Sequence, residues 1–309
     1  MALTLPHRRA QEHTVAPEIA AQAHPEQLKL MRSPRSFHAP AAVPNFVPNF
    51  FRYWHLASLD APTVAVVWSL AFAWVAHVHL AAWVLALQVL VVWVLYVGDR
   101  LLDARTGLER NGSKMRERHW FHWRHRRVLA PMAVVAACIA ASIALRWMPI
   151  AVWGRDSVVG LASLAYLASV HGGGGRAQVF SKEMLVGILF TSGCALPAWS
   201  RSVAIPVVFF AALAWLNCWA IEDWETAAPG PAVARIAMPL ALVGAAAAGC
   251  AFAFEPRAAV LLLAGTASVM LLAMLDRARG HMTAVTLRAL ADLVLLTPAI
   301  LLAAARMAP

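Results

Sequence analysis

The run AAWVLALQVLVVWVLYVGDRLLD, residues 81–103, decides the fold class of this chain. It contains no charged side chain before Asp99, and that apolar stretch is long enough to cross the hydrocarbon core of a membrane as a helix. The polarity changes abruptly at its end, where Asp99, Arg100 and Asp103 follow within about one helical turn. The run therefore predicts a membrane-spanning helix that ends in an acidic cluster.

A second apolar run, IPVVFFAALAWLNCWAIEDWE at residues 205–225, has the same design. It ends at Glu222, Asp223 and Glu225. Carboxylates close to an apolar span are costly and usually have a function. Because both clusters end even-numbered predicted spans, we expect both on the same side of the membrane. There they would form the two halves of one polar site.

The composition of the whole chain supports an all-α polytopic membrane protein. The 309 residues are 61% hydrophobic and only 14% charged, and the mean hydropathy is +0.64. The apolar runs are continuous rather than alternating, which favours helices over a barrel. We predict about nine transmembrane helices, at residues 61–79, 81–98, 128–148, 150–171, 183–200, 203–221, 233–254, 256–275 and 283–305.

The basic residues are distributed very unevenly between the two predicted sides. If the N-terminus is cytoplasmic, most of the 26 Lys and Arg residues lie on the cytoplasmic side. The other side keeps only Arg146, Arg155, Arg201, Arg257 and Arg306. This asymmetry predicts a cytoplasmic N-terminus. The net charge of +10 then suits contact with anionic lipids, and no nucleic-acid-binding motif is present.

Three regions follow from this reading of the sequence. Residues 1–44 are rich in Pro, Ala and charge, and we predict a disordered cytosolic tail. Residues 45–60 contain NFVPNFFRYWHL, an aromatic segment that we expect to lie in the headgroup region. Residues 61–309 form the predicted transmembrane domain.

The first acidic cluster has the spacing of a metal site. Asp99 and Asp103 are four residues apart and would share one helix face, where two bare carboxylates repel each other unless a cation lies between them. Mg²⁺ is the natural candidate, because carboxylates and phosphate oxygens are its usual ligands. Asp223 would supply the opposing half. The alternative is that these acids only balance the neighbouring basic loop.

Several other residues on the predicted inner side suit an anionic substrate such as a diphosphate. These basic candidates for substrate binding are Arg100, Arg126, Arg127 and Lys182. Glu225 is also a candidate substrate-binding residue, since with Asp223 it would supply the opposing half of the acidic site. Two polar positions elsewhere have simpler interpretations. Asp60 begins a span and is predicted to be a helix N-cap, and Asp292 is predicted to pair with Arg288 one turn away.

The loop RERHWFHWRHRR, residues 116–127, places His119, His122 and His125 at intervals of three. This spacing would allow a metal or haem site. We favour an interfacial helix with its basic side toward the headgroups, because no further ligand is evident.

The two clusters resemble the motifs of the UbiA-like intramembrane prenyltransferases. DRLLDARTGLER, starting at Asp99, looks like the first aspartate-rich motif, and AIEDWE resembles the start of the second. The resemblance covers residues 50–305 in architecture but only about 20 residues by motif. The family's leading Asn-Asp falls on Leu95-Tyr96, and the last aspartate of its second motif falls on Ala227.

The resemblance implies a nine-helix UbiA-like bundle and a magnesium-dependent prenyl transfer from an isoprenyl diphosphate to a lipophilic acceptor. Asp99, Asp103 and Asp223 match the family's metal-binding aspartates, and Lys182 matches a lysine that contacts diphosphate. The alternative is a non-catalytic transporter or lipid-binding protein with the same fold. The acceptor, the prenyl length and the oligomeric state stay open.

The charge asymmetry predicts that the segments 99–127 and 222–235 are both cytosolic. Single cysteines are placed in either segment of a protein that lacks the native cysteines. They should react with a membrane-impermeant maleimide added outside the cell only after the membrane has been permeabilised. A cysteine at position 201 is the matched control and should react from outside. Outside labelling of either acidic segment would contradict the orientation and the shared site.

Overall fold

The computed structural model describes residues 49–111, 117–171, 181–226 and 232–307, and the predicted tail at 1–44 lies outside them. Within these ranges the regular structure is helical, with no strand. The α-helices are α1 (Asn49–Leu56), α2 (Asp60–Val75), α3 (Ala82–Asn111), α4 (Glu117–Arg124), α5 (Arg126–Trp147), α6 (Ile150–His171), α7 (Lys182–Ala195), α8 (Ala204–Thr226), α9 (Ala232–Phe252), α10 (Pro256–Ala278), α11 (Ala284–Val294) and α12 (Thr297–Met307).

The all-α membrane fold is confirmed at the level of its helices. Six helices or continuous helical segments are long and apolar enough to cross a membrane, or seven if the bent pair α1–α2 is counted as one span. The six are Ala82–Thr106, Arg126–Trp147, Arg201–Glu225, Val233–Phe252, Pro256–His281 and Ala284–Ala305. Helix α7 has only 14 residues, about 21 Å, so the predicted fifth span is short. The count of nine stays a prediction.

Helix α2 forms the centre of the packed core. Its Trp68 stacks on Phe210 of α8 with ring centroids 3.7 Å apart, and both side chains are buried. The hydroxyl of Ser69 donates to the carbonyl of Cys194 on α7, and Gln88 of α3 donates to Ser69. Polar side chains inside the core are therefore used to join neighbouring helices, which offsets the cost of burying them.

The last predicted span is broken between α11 and α12, and proline explains the break. Pro298 has no N–H to bond the carbonyl four residues earlier, that of Val294. Ser268 of α10 donates to this carbonyl instead, at 2.7 Å. The indole of Trp68 donates to the next carbonyl, that of Leu295, at 2.9 Å. These two hydrogen bonds thus join α10 and α2 to the segment between α11 and α12.

Helices α1 and α2 meet at a 90° corner. Ser58 adopts a left-handed backbone conformation there, with φ of 58°, and its buried side chain lies 3.3 Å from His122 of α4. Asp60 does not cap α2 as predicted, because Leu59 occupies the N-cap position. The Asp60 carboxylate instead accepts a bond from the N–H of Ala61 and contacts His55. The interfacial location of α1 stays a prediction.

Gly187 allows α7 to approach α8 closely. A Cβ built at this position would lie 2.9 Å from the backbone nitrogen of Trp215 and 3.2 Å from the carbonyl oxygen of Ala211. Because backbone atoms of a packed helix cannot move aside cheaply, even alanine would push the helices apart. Gly193 on the same helix has no atom within 4 Å of such a Cβ.

The two glycines should respond oppositely to alanine. In an open helical position, glycine to alanine gains about 1 kcal/mol of helix stability. Gly193→Ala should therefore raise the melting temperature of the detergent-solubilised protein. Gly187→Ala should lower it, because separation of α7 from α8 outweighs that gain. Equal increases in the two variants, measured by tryptophan fluorescence on heating, would show that the close approach is not a constraint.

Candidate functional site

The end of α3 brings two aspartates to one histidine of α6. His171 Nε2 lies 3.1 Å from Asp99 Oδ1, and its Nδ1 lies 3.9 Å from Asp103 Oδ1. The ligand atoms of the three side chains all lie within 4.8 Å of one another. The predicted pair of aspartates therefore shares one face, with an imidazole as its third member. We call Asp99, Asp103 and His171 the α3 cluster.

Basic groups surround the α3 cluster. His119 of α4 places Nε2 3.5 Å from Asp103 Oδ2. Lys182, the first residue of α7, lies within electrostatic reach of Asp103, and its Nζ is 4.0 Å from Glu222 Oε2 on α8. Lys182 thus lies between the first acidic cluster and Glu222, the first acid of the second cluster.

The other acids of the second cluster are held in ion pairs. Asp223 Oδ2 lies 3.4 Å from Arg279, which also pairs with Asp276 at 3.2 Å. Glu225 pairs with Arg288 of α11. Asp223 does not join the α3 cluster within 4.8 Å in the described part of the chain. The predicted pair Arg288–Asp292 is wrong, because tertiary packing gives Arg288 the partner Glu225.

Two of the predicted substrate-binding arginines make no acidic contact among the described residues. Arg126 donates to the carbonyl of Trp123 at 2.7 Å and lies over its ring at 4.1 Å. Arg127 is exposed. Arg100 is buried and turned away from its neighbour Asp99, with its NH2 group 3.9 Å from Asp60. Their roles in substrate binding stay predictions.

Arg100 belongs to a second polar group, which we call the corner cluster. His55 Nδ1 lies 2.6 Å from Asp60 Oδ2 and 3.4 Å from Asp292 Oδ2. Asn217 of α8 donates to Asp292 at 3.2 Å. The cluster, made of His55, Asp60, Arg100, Asn217 and Asp292, joins α1, α2, α3, α8 and α11.

The three histidines of residues 116–127 make different contacts. His119 reaches Asp103, whereas the imidazole of exposed His125 bonds the carbonyl of Phe121 within its own turn. His122 is fully buried. Its Nδ1 bonds the carbonyl of Arg118 at 2.8 Å. In the described ranges these three side chains do not form a group that could hold a metal.

The α3 cluster and the corner cluster differ as metal sites. The α3 cluster offers two carboxylates and an imidazole at the edge of the bundle, a donor set that fits Mn²⁺ and Zn²⁺ as well as Mg²⁺. The corner cluster already contains a cation, because Arg100 adjoins Asp60. A divalent ion there would add charge that two carboxylates cannot fully neutralise. The α3 cluster is therefore the better candidate of the two for a metal ion.

Sequence reasoning missed His171, His55 and the use of Asp60 and Asp292. A signal was available for each, since ionisable residues within or beside apolar helices are rare and usually paired. His171 also ends the predicted fourth span on the same side as Asp99. What the sequence lacked was a way to pair residues on different helices, such as His171 with Asp99 and His55 with Asp292.

Comparison with known protein families, curated proteins and solved structures finds no match to this chain. Neither the fold nor the chemistry is therefore supported by a relative.

Burial controls the protonation of His122. Burial lowers its pKa to about 4, so the imidazole is neutral at pH 7 and its Nε2 accepts from the Ser58 hydroxyl. In the unfolded chain the same group takes up a proton near pH 6.5. The unfolded state therefore binds more protons between these values, and stability that is complete above pH 6.5 is lost as the pH falls toward 4.

The melting temperature of the solubilised protein should fall on acidification, with His122 contributing at most about 3 kcal/mol to the change. His122→Gln removes this titrating group and should make the fall smaller. His125→Gln is the matched control, because that side chain is exposed three residues away, and it should keep the pH dependence of the parent. An unchanged fall in His122→Gln would contradict a neutral buried imidazole.

Proposed function

We propose that this protein is a metal-dependent membrane transferase that moves an isoprenyl group from a diphosphate to a lipophilic acceptor. The observation that carries the proposal is the α3 cluster, in which Asp99, Asp103 and His171 converge at the end of an apolar helix. Lys182 adds a positive charge within reach of Asp103. A metal–diphosphate unit needs this combination of carboxylates and a nearby cation.

Asp99, Asp103 and His171 would hold the metal, with His119 next to Asp103. A metal held there would supply positive charge that stabilises the departing diphosphate. Mg²⁺ is the expected ion. Imidazole is a better ligand for Mn²⁺ than for Mg²⁺, so His171 leads us to expect that Mn²⁺ also supports binding.

The remaining residues would act on the diphosphate and on water. Lys182 would bind a diphosphate oxygen, exchanging its contact with Glu222 for a phosphate contact. In the transfer, the bond between the isoprenyl carbon and the diphosphate oxygen breaks and that carbon bonds to the acceptor, which loses a proton. Apolar helix surface beside the cluster would exclude water and so prevent simple hydrolysis.

The competing function is a non-catalytic transporter or lipid-binding protein with this fold. The ion pairs of Asp223 with Arg279 and of Glu225 with Arg288 favour it, because a two-cluster metal site would need Asp223 to leave its partner. Release of diphosphate in the presence of an acceptor separates the two functions.

The proposal predicts metal-dependent binding. Farnesyl diphosphate or geranylgeranyl diphosphate should raise the melting temperature only when Mg²⁺ or Mn²⁺ is present. Ligand at about 100 times its dissociation constant should add roughly 2.7 kcal/mol. Asp99→Asn and His171→Gln should each abolish the increase, since each removes one member of the α3 cluster.

Asp156→Asn is the matched control, because Asp156 pairs locally with Arg155 on α6 and lies outside the cluster. It should retain the full ligand-induced shift. The shift is compared rather than the baseline, because removing a carboxylate also relieves repulsion in the free protein. A metal-independent shift, or a full shift in Asp99→Asn, would contradict the proposal. Binding without diphosphate release from any acceptor mixture would favour the non-catalytic function.

A further inference from the structure

The corner cluster is buried where the apolar helices meet. The exposed fractions are 2% for His55, 1% for Asp60, 7% for Arg100 and 4% for Asn217. Asp292 completes the group from α11, with 18% of its side chain exposed. Ionisable groups in such a position are expensive and are kept where they bind or transfer something.

The charges of the cluster balance only when it holds a proton. Asp60 and Asp292 contribute two negative charges, and Arg100 contributes one positive charge. A proton on His55 brings the sum to zero, and Nδ1 is then placed to donate to both carboxylates. Without that proton the buried group carries a net negative charge, which costs several kcal/mol unless it is compensated.

The cluster also contains polar atoms that no group in the described part of the chain satisfies. Among the described residues, Arg100 Nε and NH1 are buried donors with no hydrogen-bond partner, and Asn217 Oδ1 is a buried acceptor with none. A purely structural network would satisfy these atoms, because each costs free energy when it is left unbonded. Donors and an acceptor together suit water, the small molecule that carries protons to and from a buried acid.

The neighbouring titratable and charged groups leave this balance in place. They are Tyr96 of α3, Arg118 and His122 of α4, and Cys218 of α8, together with the members of the cluster itself. Tyr96 and Cys218 are neutral when buried, and His122 is neutral for the reason given above. Arg118 lies close to His119 and faces the side of the α3 cluster.

We propose that the corner cluster is a proton-binding site, in which one exchangeable proton is held between His55 and Asp292. The proton attracts α11 to the corner between α1 and α2. Its loss leaves Asp60 and Asp292 facing each other with less compensation, so that α11 is bound less firmly there. The protein is thereby able to couple proton uptake to the packing of its last helices, and this holds whether or not the α3 cluster transfers an isoprenyl group.

Nitrogen-15 NMR of histidine-labelled protein in lipid vesicles tests the site, because the imidazole shifts differ between the charged, neutral and metal-bound forms. His55→Gln identifies the signal of His55, and His122→Gln identifies that of His122. The His55 signal should change from imidazolium to neutral imidazole between about pH 5 and pH 9. The His122 signal should stay neutral across the same range.

Two carboxamide variants examine the role of Asp292. Asp292→Asn keeps the shape of the side chain and removes a negative charge, so the midpoint of the His55 transition should fall by at least about one pH unit. Asp156→Asn, which changes a surface carboxylate, should leave the midpoint unchanged. Circular dichroism of both variants checks that the helices are intact.

Three results would overturn the proposal. A His55 signal that stays in one protonation state throughout would make the cluster structural. A metal-bound shift, accompanied by stoichiometric metal that His55→Gln loses, would make it a metal site. A midpoint that is equal in Asp292→Asn and the parent would remove Asp292 from the proton site.

Discussion

The cost of keeping charged side chains within an apolar helix bundle governs this structure. At the end of α3, Asp99 and Asp103 meet His171, whereas Arg100 on the adjacent position is turned to Asp60. One helical turn therefore supplies two separate polar clusters. In each cluster, opposite charges or hydrogen-bonding partners face each other. An isolated charge buried among apolar helices would strongly destabilise the fold.

The two clusters differ in what their charges require. The α3 cluster has two half-exposed carboxylates and lies close to Lys182, which suits a metal ion accompanied by an anionic substrate. The corner cluster is closed in by five helices and already contains Arg100. A single proton completes its charge balance. The proposed metal chemistry and the proposed proton binding thus use neighbouring residues of one helix end.

Breaks in the helices position the corner cluster. The left-handed backbone at Ser58 turns α1 by 90° from α2 and brings His55 to Asp60. Pro298 ends α11, and its freed carbonyls are taken up by Ser268 and Trp68. Both breaks are stabilised by side chains of other helices. The cluster therefore depends on packing over the whole chain rather than on a local motif.

The sequence by itself determined the membrane class, the approximate location of the helices and the pair Asp99–Asp103, because these depend on residues close together in the chain. Hydropathy and helical spacing act over about one to six turns. Only the tertiary structure decided the partners of Asp60, Asp223, Arg288 and Asp292. An ion pair forms between whichever opposite charges packing brings within a few ångströms, and the contact between His55 and Asp292 spans most of the chain. Local spacing suggested the wrong partner for Arg288 because Glu225, on another helix, reaches it within the folded bundle.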